Sequence, residues 1–160
     1  MHDLTNKALM QKSLYNIWHI DKCQTIFYTL RNGSICMAKI LVVDDSEIIR
    51  VQLKNDLLAQ GYDVVEADNG LNGLDVVANN DNIDIIISDV NMPEMDGPTM
   101  CKKLHQNPNS KHIPIVMLTT QSNPELKASC KEYGVIAWIT KPYKLKGLLV
   151  GIEKILSRAS

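Results

Sequence analysis

Residues 85–97 read IIISDVNMPEMDG. Three isoleucines in a row suit a strand that is covered on both faces, and the run stops on Ser88 and Asp89. Asp often opens a turn, because its side chain can bond the backbone two residues on. That role fits Asp96, which stands before Gly97, better than it fits Asp89. A carboxylate leaving the end of the most apolar strand gains meaning only if other polar groups meet it there.

On both sides of this stretch the same unit recurs. Short apolar runs at 39–43, 63–67, 83–87, 114–118 and 135–139 are the strand candidates, and helix-period segments lie between them. Ile49, Leu53 and Leu57 recur at i, i+4, i+8, and Leu145, Leu148, Leu149, Ile152 and Leu156 form an apolar stripe. Gly61 and Gly134 fall where helices should end, and Asn123-Pro124 is an N-cap followed by a first-turn proline. Regular alternation of this kind predicts an α/β fold, a doubly wound five-stranded parallel sheet in a three-layer sandwich.

Composition agrees. The 160 residues are 45% hydrophobic and 22% charged, the balance of a globular protein, and no apolar run approaches the length of a membrane span. The four cysteines form no CxxC pair or zinc-type spacing, and the N-terminus has no signal-peptide core, so a reduced, cytoplasmic protein is expected. Residues 1–36 hold four of the 17 basic and two of the 18 acidic residues, which leaves the rest of the chain at −3. With no basic stripe, direct nucleic-acid binding lacks its main driving force. A composition shift at Met37 divides the chain into an N-terminal extension, 1–36, and a domain over 37–160. In the extension Met10, Leu14, Ile17 and Trp18 have the spacing of a short amphipathic helix. The plainer alternative is a mis-assigned start or a flexible tail.

Ligands of open parallel sheets bind outside the carboxyl ends of the strands. The predicted strands end there in Asp44-Asp45, Ser88-Asp89, Thr119-Thr120 and Thr140-Lys141-Pro142. Singly, each has an ordinary explanation: Asp45 or Ser46 as a helix cap, Lys141 as a solvated surface residue. Together they ask for a cation, since two carboxylates ~5 Å apart repel by ~3 kcal/mol at an effective dielectric near 20. An all-oxygen carboxylate site suits Mg²⁺, commonly beside a phosphoryl group. Lys141 and the Thr119 hydroxyl then suit phosphoryl oxygens, and Asp89 is left as a nucleophile able to form an acyl phosphate.

VVDDS, SDVNMPEMDG, IPIVMLTT and AWITKPY, in this order and at these separations, resemble the receiver domain of two-component response regulators, over about residues 39–156. The resemblance implies a flavodoxin-like (CheY-like) sheet with strand order 2-1-3-4-5. It makes Asp89 the phosphoacceptor, Asp45 a direct Mg²⁺ ligand and Asp44 a ligand through water beside Asp89, and the backbone carbonyl of Asn91 a further ligand. Thr119 would be the switch hydroxyl, Lys141 the phosphoryl partner through a cis bond to Pro142, and Trp138 the output aromatic. Asn91 and Gln121 would tune the lifetime of the acyl phosphate. At Val90 the chain departs from the tryptophan often found beside the phosphoacceptor in the chemotaxis pattern.

The implied activity is self-catalysed phosphotransfer and autodephosphorylation rather than turnover of an external substrate. A CheA-like histidine kinase would be the donor. The output would be a flagellar switch protein, in chemotaxis, or alternatively a histidine phosphotransfer protein in a phosphorelay. A monomer without nucleic-acid or membrane contacts is expected. A flavodoxin is disfavoured because Asp44 and Asp45 would repel its phosphate. An aspartyl-phosphate phosphatase is disfavoured because Asn91 cannot serve as the general acid.

Overall fold

The computed structural model describes residues 28–31, 34–120 and 123–158. In it the apolar runs pair as parallel strands, and the helix-period segments wind between them. In chain order the elements are β1 (Tyr28–Arg31), β2 (Ser34–Met37), β3 (Lys39–Val43), α1 (Glu47–Leu58), β4 (Asp63–Ala67), α2 (Gly70–Ala78) and β5 (Ile85–Asp89). Then follow α3 (Gly97–Gln106), β6 (Ile115–Thr119), α4 (Pro124–Lys131), β7 (Val135–Thr140) and α5 (Leu145–Leu156). Five strands make one sheet in the order β4-β3-β5-β6-β7 with every pair parallel, which is the predicted 2-1-3-4-5 arrangement.

Both sheet faces are buried because successive residues point to opposite sides. Ile40, Val42, Ile85, Ile87, Val116 and Leu118 pack beneath α1 and α5 through Leu53, Leu57, Leu148, Ile152 and Leu156. Leu41, Val43, Ile86, Ile115 and Met117 face the other layer, where α3 and α4 supply Met100, Cys101, Leu104 and Cys130. The continuous apolar runs are thus two interleaved half-cores.

The helix signals work as their chemistry requires. Asn123 accepts hydrogen bonds from the N–H groups of Glu125 and Leu126, with Pro124 opening α4. Asp96 also caps a helix, accepting from Thr99 N at 2.7 Å at the start of α3, rather than serving a free-standing turn. Gly61 and Gly134, with φ of 82° and 83°, end α1 and α4 in the left-handed region that favours glycine.

Three features depart from the sequence reading. β5 spans Ile85–Asp89 rather than 83–87, and β6 and β7 run on to Thr119 and Thr140, so the polar residues are the last rungs of the strands and not the first of the loops. β7 carries one extra residue: Ile115 pairs with Val135 but Val116 with Ala137, which sets Trp138 beside Met117 and Thr140 beside Thr119. The extension side of Met37 contains an antiparallel hairpin, β1 against β2, with Arg31 paired to Ser34. The spacing noted for Met10, Leu14, Ile17 and Trp18 lies outside the described residues.

Candidate functional site

β3, β5, β6 and β7 end along one edge of the sheet, and their terminal residues meet there. Asp44, Asp45 and Asp89 each bring a carboxylate oxygen within 4.8 Å of the others. Lys141, just past β7, reaches between them: its Nζ lies 2.5 Å from Asp44 Oδ2 and 3.2 Å from Asp89 Oδ2. The lysine side chain is only 13% exposed, so it is no solvated surface residue.

Each carboxylate is held differently. Asp44 is 1% exposed, and its Oδ1 also accepts the N–H of Ser46 at 3.0 Å. Asp89 accepts the N–H of Val90 at 2.8 Å, and the Ser88 hydroxyl donates to the Asp89 carbonyl at 2.9 Å. Asp45 is exposed, and among the described residues no donor holds its carboxylate. Ser46 occupies the N-cap position of α1 without a side-chain cap bond. Neither Asp45 nor Ser46 is therefore spent on capping, and the Asp45 carboxylate is available to a ligand.

Electrostatics follow from this packing. Burial pushes the Asp89 carboxyl upward, and Asp44 adds to the shift, against the opposing pull of Lys141 and the Val90 N–H. For Lys141, burial works against the charge, but the hydrogen bond and charge of Asp44, with those of Asp89, outweigh it and the net shift is upward. The ammonium stays protonated. Three carboxylates facing one ammonium leave the site at −2, with oxygen donors only, which is the donor set of a hard divalent cation such as Mg²⁺.

The remaining predicted residues surround this centre. Thr119 is 3% exposed at the end of β6, and its carbonyl accepts the Lys141 N–H at 2.8 Å, which ties the lysine's backbone to that strand. The Lys141-Pro142 bond is cis. Trp138 is half-buried against the α3–α4 layer, with Lys127 Nζ 5.7 Å above its ring. Asn91 is exposed just beyond Val90, and Gln121 lies outside the described residues.

One participant was missed. Arg50 in α1 donates from Nη1 to the carbonyls of Asp44 at 2.8 Å and Asp45 at 3.2 Å. A cation in the first turn of a helix opposes the macrodipole, and that misplacement was its signal in the sequence.

The sequence profile described as the response regulator receiver domain matches residues 40–153. The chain belongs to the response regulator receiver family. The chemotaxis protein CheY homolog of Campylobacter jejuni is 35% identical over 123 residues, which are 76% of this chain and 95% of that protein. Histidine kinase P4 of Formosa agariphila is 39% identical over 117 residues, 73% of this chain but 8% of that protein. The crystallised chemotaxis protein CheY4 of Vibrio cholerae has a TM-score of 0.71 at 38% identity, covering 75% of this chain and 99% of that one. Among the described residues no helix is long and apolar enough to cross a membrane.

Proposed function

We propose that this receiver accepts a phosphoryl group from a histidine kinase onto Asp89, in a Mg²⁺-dependent reaction, and signals through phosphorylation-dependent protein binding in chemotaxis. The observation that carries this reading is the bridging lysine. Lys141 sits against both the proposed nucleophile and a buried acid, within a trio of carboxylates that still lacks two positive charges.

An Asp89 carboxylate oxygen attacks the phosphorus of a phosphohistidine. The new P–O bond makes an acyl phosphate, the P–N bond breaks, and the imidazole leaves. Mg²⁺, when bound, supplies the charge that lets a phosphoryl group approach carboxylates. Asp44 and Asp45 with Asp89 are the residues that would hold it, with the Asn91 carbonyl as the further ligand. The Lys141 ammonium, already 3.2 Å from Asp89 Oδ2, pairs with the phosphoryl oxygens once they are there.

The Thr119 hydroxyl donates to the same group, and Trp138 two rungs along the neighbouring strand takes up the rearrangement. Asn91 and Gln121 set the access of water and hence the lifetime of the acyl phosphate. On this reading the protein turns over no substrate other than its own phosphoryl group. The chemotaxis assignment is supported by the Campylobacter protein's name and by its alignment over 95% of that protein. The donor would then be a CheA-like kinase and the target a flagellar switch protein.

Incubation with Mg²⁺ and a small phosphodonor should give a base-labile phosphate on the wild type and none on Asp89→Asn. Undiminished labelling of that variant overturns the assignment. Transfer of the label to a histidine phosphotransfer protein, with no phosphorylation-dependent affinity for a flagellar switch protein, would replace chemotaxis by a phosphorelay.

A further inference from the structure

We infer that Arg50 is a positioning residue for cation binding: it sets the acid loop after β3 so that the otherwise unheld Asp45 carboxylate points into the site. The inference rests on the metal reading above and concerns a residue that touches neither metal nor phosphoryl group.

The three carboxylates are not equally secured. Asp44 and Asp89 are fixed through their side chains by Lys141 and by the N–H groups of Ser46 and Val90. Among the described residues Asp45 has no such tether, so where its carboxylate lies depends on where its backbone lies. Arg50 grips that backbone, with one nitrogen donating to the successive carbonyls of Asp44 and Asp45. The Arg50 side chain is 17% exposed, and the Nε of the same guanidinium stands at ion-pair distance, 4.0 Å, from Glu66 Oε1 on β4. Lys54, one turn further along α1, holds the second oxygen of Glu66 at 2.5 Å. The loop is thus braced against the neighbouring strand from outside the site, while the Asp44 N–H bonds the Ala67 carbonyl of the same strand at 3.2 Å. A planar guanidinium can span two acceptors and an acid together, whereas the lysine ammonium is a compact point charge on a flexible four-carbon stem.

Charge and position make opposite predictions here. If Arg50 acted only as a nearby positive charge, removing it would make the site more negative and tighten cation binding. If it positions Asp45, removing it loosens a ligand and weakens binding, in the range of about 10–100-fold known for groups that orient metal ligands.

The test is calorimetric titration of Mg²⁺ into the full chain without any phosphodonor, for wild type, Arg50→Ala and Arg50→Lys, each first shown folded by its urea transition. Positioning predicts binding about tenfold weaker in Arg50→Ala and measurably weaker in Arg50→Lys, although the latter keeps the charge. Equal or tighter binding in Arg50→Ala overturns the inference. Should that variant not fold, unchanged affinity in Arg50→Lys overturns it and weakened affinity sustains it. Absence of Mg²⁺ binding by the wild type would instead remove the metal reading on which the inference stands.

Discussion

Asp89 weakens the fold that presents it. Burial, first of all, raises its pKa from 3.8, so the folded state holds that proton more tightly than the unfolded chain does. A group with a raised folded pKa contributes stability that is fully present below the unfolded value and lost as pH rises through the folded one. Metal-free wild type should therefore lose stability relative to Asp89→Asn as pH climbs from 3.8, and urea midpoints of the two proteins across the acidic range measure the divergence. Parallel curves would mean that Lys141 fully compensates the buried charge. The converse experiment removes the lysine. Lys141→Met leaves Asp44, 1% exposed, without its ion-pair partner, and breaking a buried pair costs about 3–5 kcal/mol. Mg²⁺ should restore more stability to this variant than it adds to wild type, because the cation then relieves a larger repulsion; denaturation with and without Mg²⁺ reads both effects. The acids and the lysine were legible as residues at strand ends. That one ammonium bridges Asp44 and Asp89 was not, because a contact spanning 97 residues depends on the register of four strands.

At the scale of elements, α1 shows two apolar faces with different duties. Leu53 and Leu57 are fully buried beneath the sheet, whereas Ile48 is 79% exposed. Leu53→Ala should cost about 2–5 kcal/mol, and Ile48→Lys should stay within about 0.5 kcal/mol; a large loss at Ile48 would reveal packing that its exposure denies. α3 begins under a tighter constraint. A Cβ at Gly97 would run into the Asp89 carbonyl oxygen and crowd the Ser88 hydroxyl and Met117. Gly97→Ala should therefore destabilise by about 1–3 kcal/mol and disturb labelling of Asp89, since the strand end has to give way. Element type was readable from period and caps, but strand ends were not. Apolar runs stop at Ile87 and Leu118, while backbone pairing continues to Asp89 and Thr119, because a ladder bonds main-chain groups whatever side chain they carry. The β1–β2 hairpin has one sequence signal, the dipeptide Asn32-Gly33 between its strands, while polar neighbours blur the strand alternation around it.

For the whole molecule, the fold class and the edge that carries the site followed from five repeats of one β-α unit. What repetition could not supply was the brace from Arg50 to Glu66 and the extra residue in β7, both of which depend on contacts between units. The repeat has a further consequence. Each strand runs toward the acid edge and each helix runs back, so a whole number of units returns the chain to the edge from which it left. β3 enters at that far edge after Met37, and α5 comes back to it at Leu156. The start of β3 and the end of α5 therefore both lie away from the carboxylates, an arrangement that suits splicing into a longer polypeptide like a cassette, its working end left clear. The alignment of 73% of this chain with 8% of histidine kinase P4 is consistent with such portability. A fluorescent protein fused ahead of Met37, or after Arg158, should leave the rate of Asp89 labelling by a small phosphodonor unchanged, whereas the same fusion inserted between Asn91 and Asp96 should abolish it.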